Sequence, residues 1–140
     1  MRWLVLLAVV ACNDVRDFRG GWSGTRVGDA PAVRVGVATD AHARLAIDSI
    51  DLHGLTGRLD VDGLVADAPV VSLAGAEADT LATMTFATSP LRVYLAFSDA
   101  SDGGGSLLVM IALFDPRRVE LRLMRGGASP VYAVFALSTP

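Results

Sequence analysis

The sequence predicts an all-β fold: an antiparallel meander of about eight strands that forms a small barrel or a β-sandwich, after an N-terminal signal segment. Glycine, proline, aspartate or serine interrupts the chain about every eight to twelve residues from Trp22 onward, the spacing typical of short strands joined by turns. Many of the intervals alternate apolar and polar residues. The usual surface residues of helices are scarce, because the 140 residues include no lysine or glutamine and only Glu77 and Glu120 as glutamates.

Hydrophobic periodicity places the individual strands. Alternation is clearest over residues 119–125, where every second side chain is apolar, and it recurs over 58–62 and 33–37. Over 58–62 it predicts that Leu59 and Val61 point inward and that the two aspartates point outward. The runs 91–98 and 106–114 are apolar at consecutive positions, which predicts strands covered on both faces.

The connections predict consecutive hairpins at the end of the chain. Residues 99–105 contain three glycines, which can adopt left-handed backbone conformations in a turn. Residues 115–118 form a tight turn with a proline at its first central position, and 126–130 return the chain into the last strand. A helix is weakly indicated only over 74–84, where one turn fits the pattern.

Composition excludes several classes of protein. A hydrophobic fraction of 52% with 19% charged residues is that of a folded domain rather than a disordered chain. The net charge of −3 and the absence of a basic cluster exclude nucleic acid as an expected partner. A single cysteine rules out a disulfide framework, so packing must supply the stability of the domain.

The first residues have the three parts of a secretory signal. A positive start at Met1 and Arg2 precedes an apolar stretch, and a small residue, Ala11, ends it. The stretch is too short for a transmembrane helix, which needs about 20 apolar residues. We therefore expect residues 1–11 to be removed as a signal peptide.

The next residue gives this segment a more specific interpretation. Val9-Val10-Ala11-Cys12 resembles the lipobox of bacterial lipoproteins. The resemblance implies diacylation of the Cys12 sulfur, cleavage before Cys12, and attachment to a membrane through the acyl chains. Residues 12–21 would then be a lipidated tether, and 22–140 the antiparallel β-domain. The alternative is that Cys12 is a small buried hydrophobe in an ordinary first element.

The cellular location follows from the same resemblance. It implies a protein of the bacterial cell envelope, held by lipid. In some Gram-negative bacteria an aspartate directly after the cysteine retains a lipoprotein at the inner membrane. Here Asn13 takes that place and Asp14 follows, so this rule does not decide between the inner and the outer membrane. We expect the outer membrane rather than the inner membrane.

The start of the β-domain has a second, smaller resemblance. Gly20-Gly21-Trp22, together with Arg125 near the last hairpin, resembles the pattern of calycin barrels, which include lipocalins and avidins. The resemblance implies that Trp22 closes one end of a barrel beneath Arg125, where a cation–π contact would join them. The chain departs from the lipocalin pattern because the mature chain is short and no helix follows the last strand, which leaves a smaller barrel or an open sandwich. A separate alternative is that Trp22 is simply a core aromatic.

No residue pattern predicts catalysis, a metal site or a cofactor. His42 and His53 lie in turn-like segments without metal-ligand spacing, and a pairing of His53 with Asp51 is less expected than two solvated loop residues. Residues 60–63 lack the third acidic position and the closing glutamate of a calcium loop. Residues 103–106 lack the lysine of a phosphate-binding loop. We expect a protein that is not an enzyme.

Two functions are therefore expected before any other. In the first, the β-domain of an envelope lipoprotein binds a small apolar or amphipathic ligand. In the second, a structural or assembly lipoprotein docks on another envelope protein through a strand edge or an apolar face. A secreted hydrolase ranks third, since no nucleophile lies beside a base. The bulky side chains that could line a ligand cavity, or fill a solid core instead, are Met84, Phe86, Tyr94, Phe97, Met110, Tyr132 and Phe135.

Overall fold

The computed structural model describes residues 14–27, 37–73, 90–115 and 117–140. Eight antiparallel strands follow one another around a closed barrel in chain order, and the last strand pairs with the first. The predicted all-β meander is confirmed, and the barrel is the architecture that forms. A short 3₁₀ helix, Val15–Phe18, precedes β1 Gly20–Arg26, β2 His42–Ile50, β3 Leu55–Val61, β4 Val65–Ser72, β5 Arg92–Asp99, β6 Ser106–Phe114, β7 Arg118–Arg125 and β8 Val131–Ser138.

The predicted strands match the observed ones closely. The segment 119–125 lies within β7, and 58–62 falls on the second half of β3 and the residue after it. Leu59 and Val61 are buried there, as alternation predicts. The alternating segment 33–37 and the weak helix at 74–84 lie almost wholly outside the described residues, apart from Val37 in a bend before β2.

The predicted hairpins join β5 to β6, β6 to β7, and β7 to β8. In the first of them Gly103 and Gly105 have φ of 78° and 87°, the left-handed conformations expected of these glycines. Pro116, the proline of the turn predicted over 115–118, is not among the described residues. The spacing of turns in the sequence thus correctly predicts the connections between β5, β6, β7 and β8, which are half of the strands.

Side chains that point inward form one continuous apolar cluster. An eight-stranded barrel is just wide enough for its interior to be filled by side chains. Alternate residues of each strand supply this cluster because successive residues face opposite sides of a sheet. The largest fully buried members on the strands are Leu45, Ile47, Leu55, Leu59, Leu107, Ile111, Leu113, Leu121, Leu123, Phe135 and Leu137.

The 3₁₀ helix packs on one end of the barrel. Val15 and Phe18 are buried, and the Phe18 ring stacks on Trp22 with ring centroids 5.5 Å apart. The Trp22 indole Nε1 donates a hydrogen bond of 2.8 Å to the carbonyl oxygen of Phe18. Residues 14–21 were predicted to belong to a tether, but here they are part of the domain. The apolar pair at 15 and 18 lies on one side of the short helix, which is why this segment packs.

The meander gives the barrel two distinct ends. The 3₁₀ helix leads into the start of β1, so the β2–β3 turn, the end of β4 and the start of β5 lie at this helix end. The β3–β4, β5–β6 and β7–β8 connections lie at the opposite end, which we call the hairpin end. A backbone hydrogen bond of 2.8 Å from Ser101 to Leu64 joins two of these connections.

Candidate docking surface

The outer wall of the barrel is charged on one side. Around β2, β3 and β4, Arg44 pairs with Asp60 at 2.7 Å and Arg58 pairs with Asp67 at 2.9 Å, and all four side chains are exposed or nearly so. Asp62 also lies 3.6 Å from Arg44. The outward aspartates predicted in this region are therefore partners of an arginine.

The other side of the wall carries an apolar row in register across five neighbouring strands. Each member is the direct cross-strand partner of the next, and together they form what we call the wall row: Val71, Phe97, Leu108, Met124 and Tyr132. Val71 and Phe97 are 60% and 51% exposed, and the other three are partly buried. With strands about 4.8 Å apart, the row extends roughly 19 Å along the wall.

A shallow, open cleft of about 470 Å³ accompanies four members of the row. Beside those four, it is lined by Ser106, Arg125, Gly126 and Val131. The charged group among these is the Arg125 guanidinium, which is engaged with Asp102. The surface at the row is thus apolar and bordered by small and polar groups, a composition seen where proteins contact other molecules.

Arg125 connects two hairpins at the hairpin end. Its guanidinium donates to both carboxylate oxygens of Asp102, at 2.9 and 2.6 Å, and to the carbonyl oxygen of Ser129 at 2.8 Å. The Arg125 side chain is 7% exposed. The bond from Arg125, followed by the backbone N–H of Gly104, lowers the pKa of Asp102 to about 2. The pair holds the β5–β6 hairpin against the start of the β7–β8 hairpin.

The structure does not bring the predicted closing pair together. Trp22 lies at the helix end, where its neighbour Ser23 pairs with Ser138 of β8. Arg125 pairs with Val131 at the start of β8. Val131 and Ser138 are seven residues apart, so Trp22 and Arg125 are separated by roughly 23 Å along the direction of β8. Phe18 takes the place against Trp22 that the resemblance assigned to the arginine.

The predicted ligand-lining residues do not share one cavity. Tyr94 and Phe135 point into the barrel, whereas Phe97, Met110 and Tyr132 lie on its outer side. Met84 and Phe86 lie outside the described residues. The two faces separate because strand residues an odd number apart point in opposite directions. Val71, Leu108 and Met124 of the wall row were not predicted as site residues, because their adjacency depends on strand register, which the sequence does not reveal.

Closure of the barrel also bears on the predicted strand edge. Each of the eight described strands has two neighbours, so none of them is an edge strand over its whole length. The seam between β4 and β5 is the shortest, with two register pairs, Val71 to Phe97 and Ser72 to Ala96. Of the two docking modes expected from the sequence, the strand edge is thus restricted to this seam, whereas the wall row extends over five described strands.

The helix end has a cleft of about 420 Å³ that is lined by Asp51 and His53 and also by Val71 of the wall row. The Asp51 carboxylate accepts the backbone N–H groups of His53 and Gly54, at 2.7 and 2.9 Å, and these bonds lower its pKa. The hydroxyl groups of Ser49 and Thr56 share a hydrogen bond of 2.6 Å. These contacts hold the β2–β3 turn in place.

The other histidine, His42, also makes a hydrogen bond through its backbone. The backbone N–H of His42 donates to the Asp62 carboxylate at 3.0 Å, where β2 begins. Within the described part of the chain, no three His, Cys, Asp or Glu side chains come together as ligands for a metal ion.

Comparison with family models, curated proteins and solved structures gives no match to this chain. In the ranges that the structure describes, no helix has the length and apolar character needed to cross a membrane.

Proposed function

We propose that this protein is a lipid-anchored envelope protein whose non-catalytic barrel docks on another envelope protein through the wall row. The observation that carries the proposal is the register of five apolar side chains across five strands, with Val71 and Phe97 more than half exposed. Exposing such a row to water is unfavourable by about 25 cal/mol for each Å² of apolar surface, and a partner would cover it.

The interior of the barrel supports docking over ligand binding. Its inward side chains on the described strands form a single buried cluster, most of whose members are leucine, isoleucine and valine. A ligand-binding barrel of this strand number would need part of the volume that these side chains occupy. The contrast between this buried cluster and the exposed apolar outer wall favours an outer-wall function.

The anchor is the second part of the proposal. Cys12 would carry the acyl chains, and the described domain starts two residues later at Asp14. Two or more acyl chains hold a protein firmly on a membrane, whereas one holds it weakly. We assign the anchor to the outer membrane of the cell envelope.

The anchor is tested by intact-mass spectrometry on the membrane fraction of cells that express the wild type or Cys12→Ser. We expect a mature mass that begins at Cys12 and includes a diacylglyceryl group, and we expect the variant to lack it. Residues 1–11 retained without lipid would contradict the anchor.

Docking is tested by the size of the complex in mild-detergent extracts of the same membranes. The wild type is expected in a species larger than one detergent-bound copy of the mature protein, while Val71→Ser with Phe97→Ser is expected to lose the larger species. Both side chains are more than half exposed, so the substitutions leave the core intact. The matched control is Ala46→Ser on the charged wall. An unchanged complex, or one whose mass is that of two copies of this chain, would contradict docking on a different protein.

An apolar ligand is the second candidate function, supported by the 470 Å³ cleft beside the wall row. Ligand pockets commonly span about 300–1,000 Å³, although they enclose most of the ligand. A small-molecule adduct in the native mass of the wild type that is lost in the Val71→Ser, Phe97→Ser variant would favour this candidate.

A further inference from the structure

Three exposed leucines project from neighbouring connections at the helix end of the barrel. Leu52 lies in the β2–β3 turn, Leu73 directly follows β4, and Leu91 directly precedes β5. Their side chains are between 44% and 60% exposed. In the described residues, the other exposed large hydrophobic residues are Val71 and Phe97 of the wall row and Val27, which follows β1 at the hairpin end. We call the three leucines the rim leucines.

Hydrogen bonds hold the rim leucines in place. The Arg92 guanidinium donates to the carbonyl oxygen of Leu52 at 2.8 Å, and the backbone N–H of Leu91 donates to Leu113 at 2.8 Å. The backbone N–H of Leu73 donates to Leu95 at 2.7 Å. Because these positions are fixed before any contact is made, inserting the side chains elsewhere costs little ordering entropy.

The chain enters the domain at this same end. Val15 and Phe18 are buried beneath the barrel, so the 3₁₀ helix and the residue before it, Asp14, are fixed there. Only Asn13 separates Asp14 from Cys12. Two extended residues span about 7 Å, so a lipid on Cys12 would hold the helix end close to the bilayer surface.

We propose that the helix end rests on the bilayer and that the rim leucines insert into the boundary between headgroups and acyl chains. The occupant of this apolar rim is thus a phospholipid surface, and the inference rests on the proposed lipidation of Cys12. Exposed Arg16 and Arg19 stand beside exposed Asp14 and Asp17, so the charges of this segment balance. Insertion is therefore driven by apolar contact and depends little on salt.

The proposal predicts which end of the barrel meets the lipid. The lipidated mature protein, which begins at Cys12, is reconstituted into vesicles of phosphatidylethanolamine and phosphatidylglycerol that contain nitroxide-labelled lipid. Leu52→Cys carries a thiol-reactive fluorophore, which labels that site alone when lipid blocks the Cys12 sulfur. The matched control is Val27→Cys, because Val27 is also exposed but lies at the hairpin end. We expect several-fold stronger quenching at position 52 than at position 27, unchanged by added salt.

A second position guards against a local effect of labelling. Leu91→Cys is expected to show the same strong quenching as Leu52→Cys. If the protein stays on the vesicles but positions 52 and 91 are quenched no more than position 27, the proposed orientation is wrong and the anchor stands. If the protein does not sediment with the vesicles, the anchor fails, and this inference fails with it.

Discussion

Single residues decide how the two ends of this barrel are closed. At the helix end, Trp22 is fixed by stacking on Phe18 and by the hydrogen bond from its indole to the Phe18 carbonyl. At the hairpin end, Arg125 is fixed by Asp102. The buried aromatic pair at the helix end and the ion pair at the hairpin end respond differently to pH, which gives the first prediction.

Asp102→Asn is expected to reduce the free energy of unfolding at neutral pH and to have a much smaller effect at about pH 2. The pKa of Asp102 is lowered from 3.8 to about 2 in the folded protein, chiefly by Arg125. A lowered folded-state pKa means that the ionised carboxylate stabilises the fold above about pH 4, and that this stabilisation is lost as the pH falls toward 2.

Chemical denaturation at a series of pH values between 2 and about 6 measures this difference. The control is Asp40→Asn, since Asp40 lies in an exposed turn. A gap between wild type and Asp102→Asn that stays constant over the whole series would show that the ion pair is not its cause.

Residue patterns in the sequence predict the inward side chains well, but they do not predict partners. The alternation over 119–125 correctly identifies the buried face of β7. The expectation that Trp22 lies beneath Arg125 failed because the pairing depends on which ends of β1 and β8 are adjacent. That geometry is set by strand register, which local sequence does not specify.

At the scale of elements, close approach between β1 and β8 completes the barrel. Gly24 pairs with Leu137, and a Cβ atom added at Gly24 would overlap the carbonyl oxygen of Ala136. A side chain there would push β8 away from β1, so glycine is required by space at this position.

Gly24→Ala is therefore expected to lower the free energy of unfolding by about 1–3 kcal/mol, the usual cost of overpacking. Gly21→Ala in the same strand is the matched control, because an added Cβ at Gly21 meets no atom within 4 Å. We expect a change within about 0.5 kcal/mol for the control. Equal effects of the two substitutions in equilibrium denaturation would contradict the proposed clash.

The outer faces of β5 and β6 extend the comparison of sequence with structure. Apolar residues at consecutive positions predicted that both faces of these strands are covered. Val93, Leu95, Met110, Ala112 and Phe114 indeed form a second buried cluster on the outer side. Phe97 continues the same outer face but is half exposed. Composition could not distinguish the covered part of this face from the exposed wall row.

The whole molecule combines a buried apolar interior with an outer wall that differs from side to side. Eight strands could be predicted from turn spacing, whereas closure could not, because it depends on pairing between the first and last strands. Closure has a functional consequence. Because each described strand has two neighbours, the outer wall meets other molecules mainly through its side chains, and the wall row is an exposed apolar set in register on that surface.

The rim leucines and the wall row together would orient the molecule in the envelope. A barrel resting on its helix end presents its wall, rather than its base, to neighbouring proteins. Exposed Phe97 near the end of β5 would then lie on the side of the barrel toward the hairpin end, away from the bilayer. The two proposals use different residues, and the two surfaces adjoin at the end of β4, where Val71 of the wall row lies two residues before Leu73.

The measurement that tests docking most directly is site-specific photo-crosslinking in living cells, with the photoreactive residue at position 97 or at position 46. Phe97 is in the wall row and Ala46 is exposed on the charged wall. We predict one discrete crosslinked species from position 97, with a mass that includes a different protein, and none from position 46. Equal crosslinking from both positions, or none from position 97, would contradict docking through the wall row.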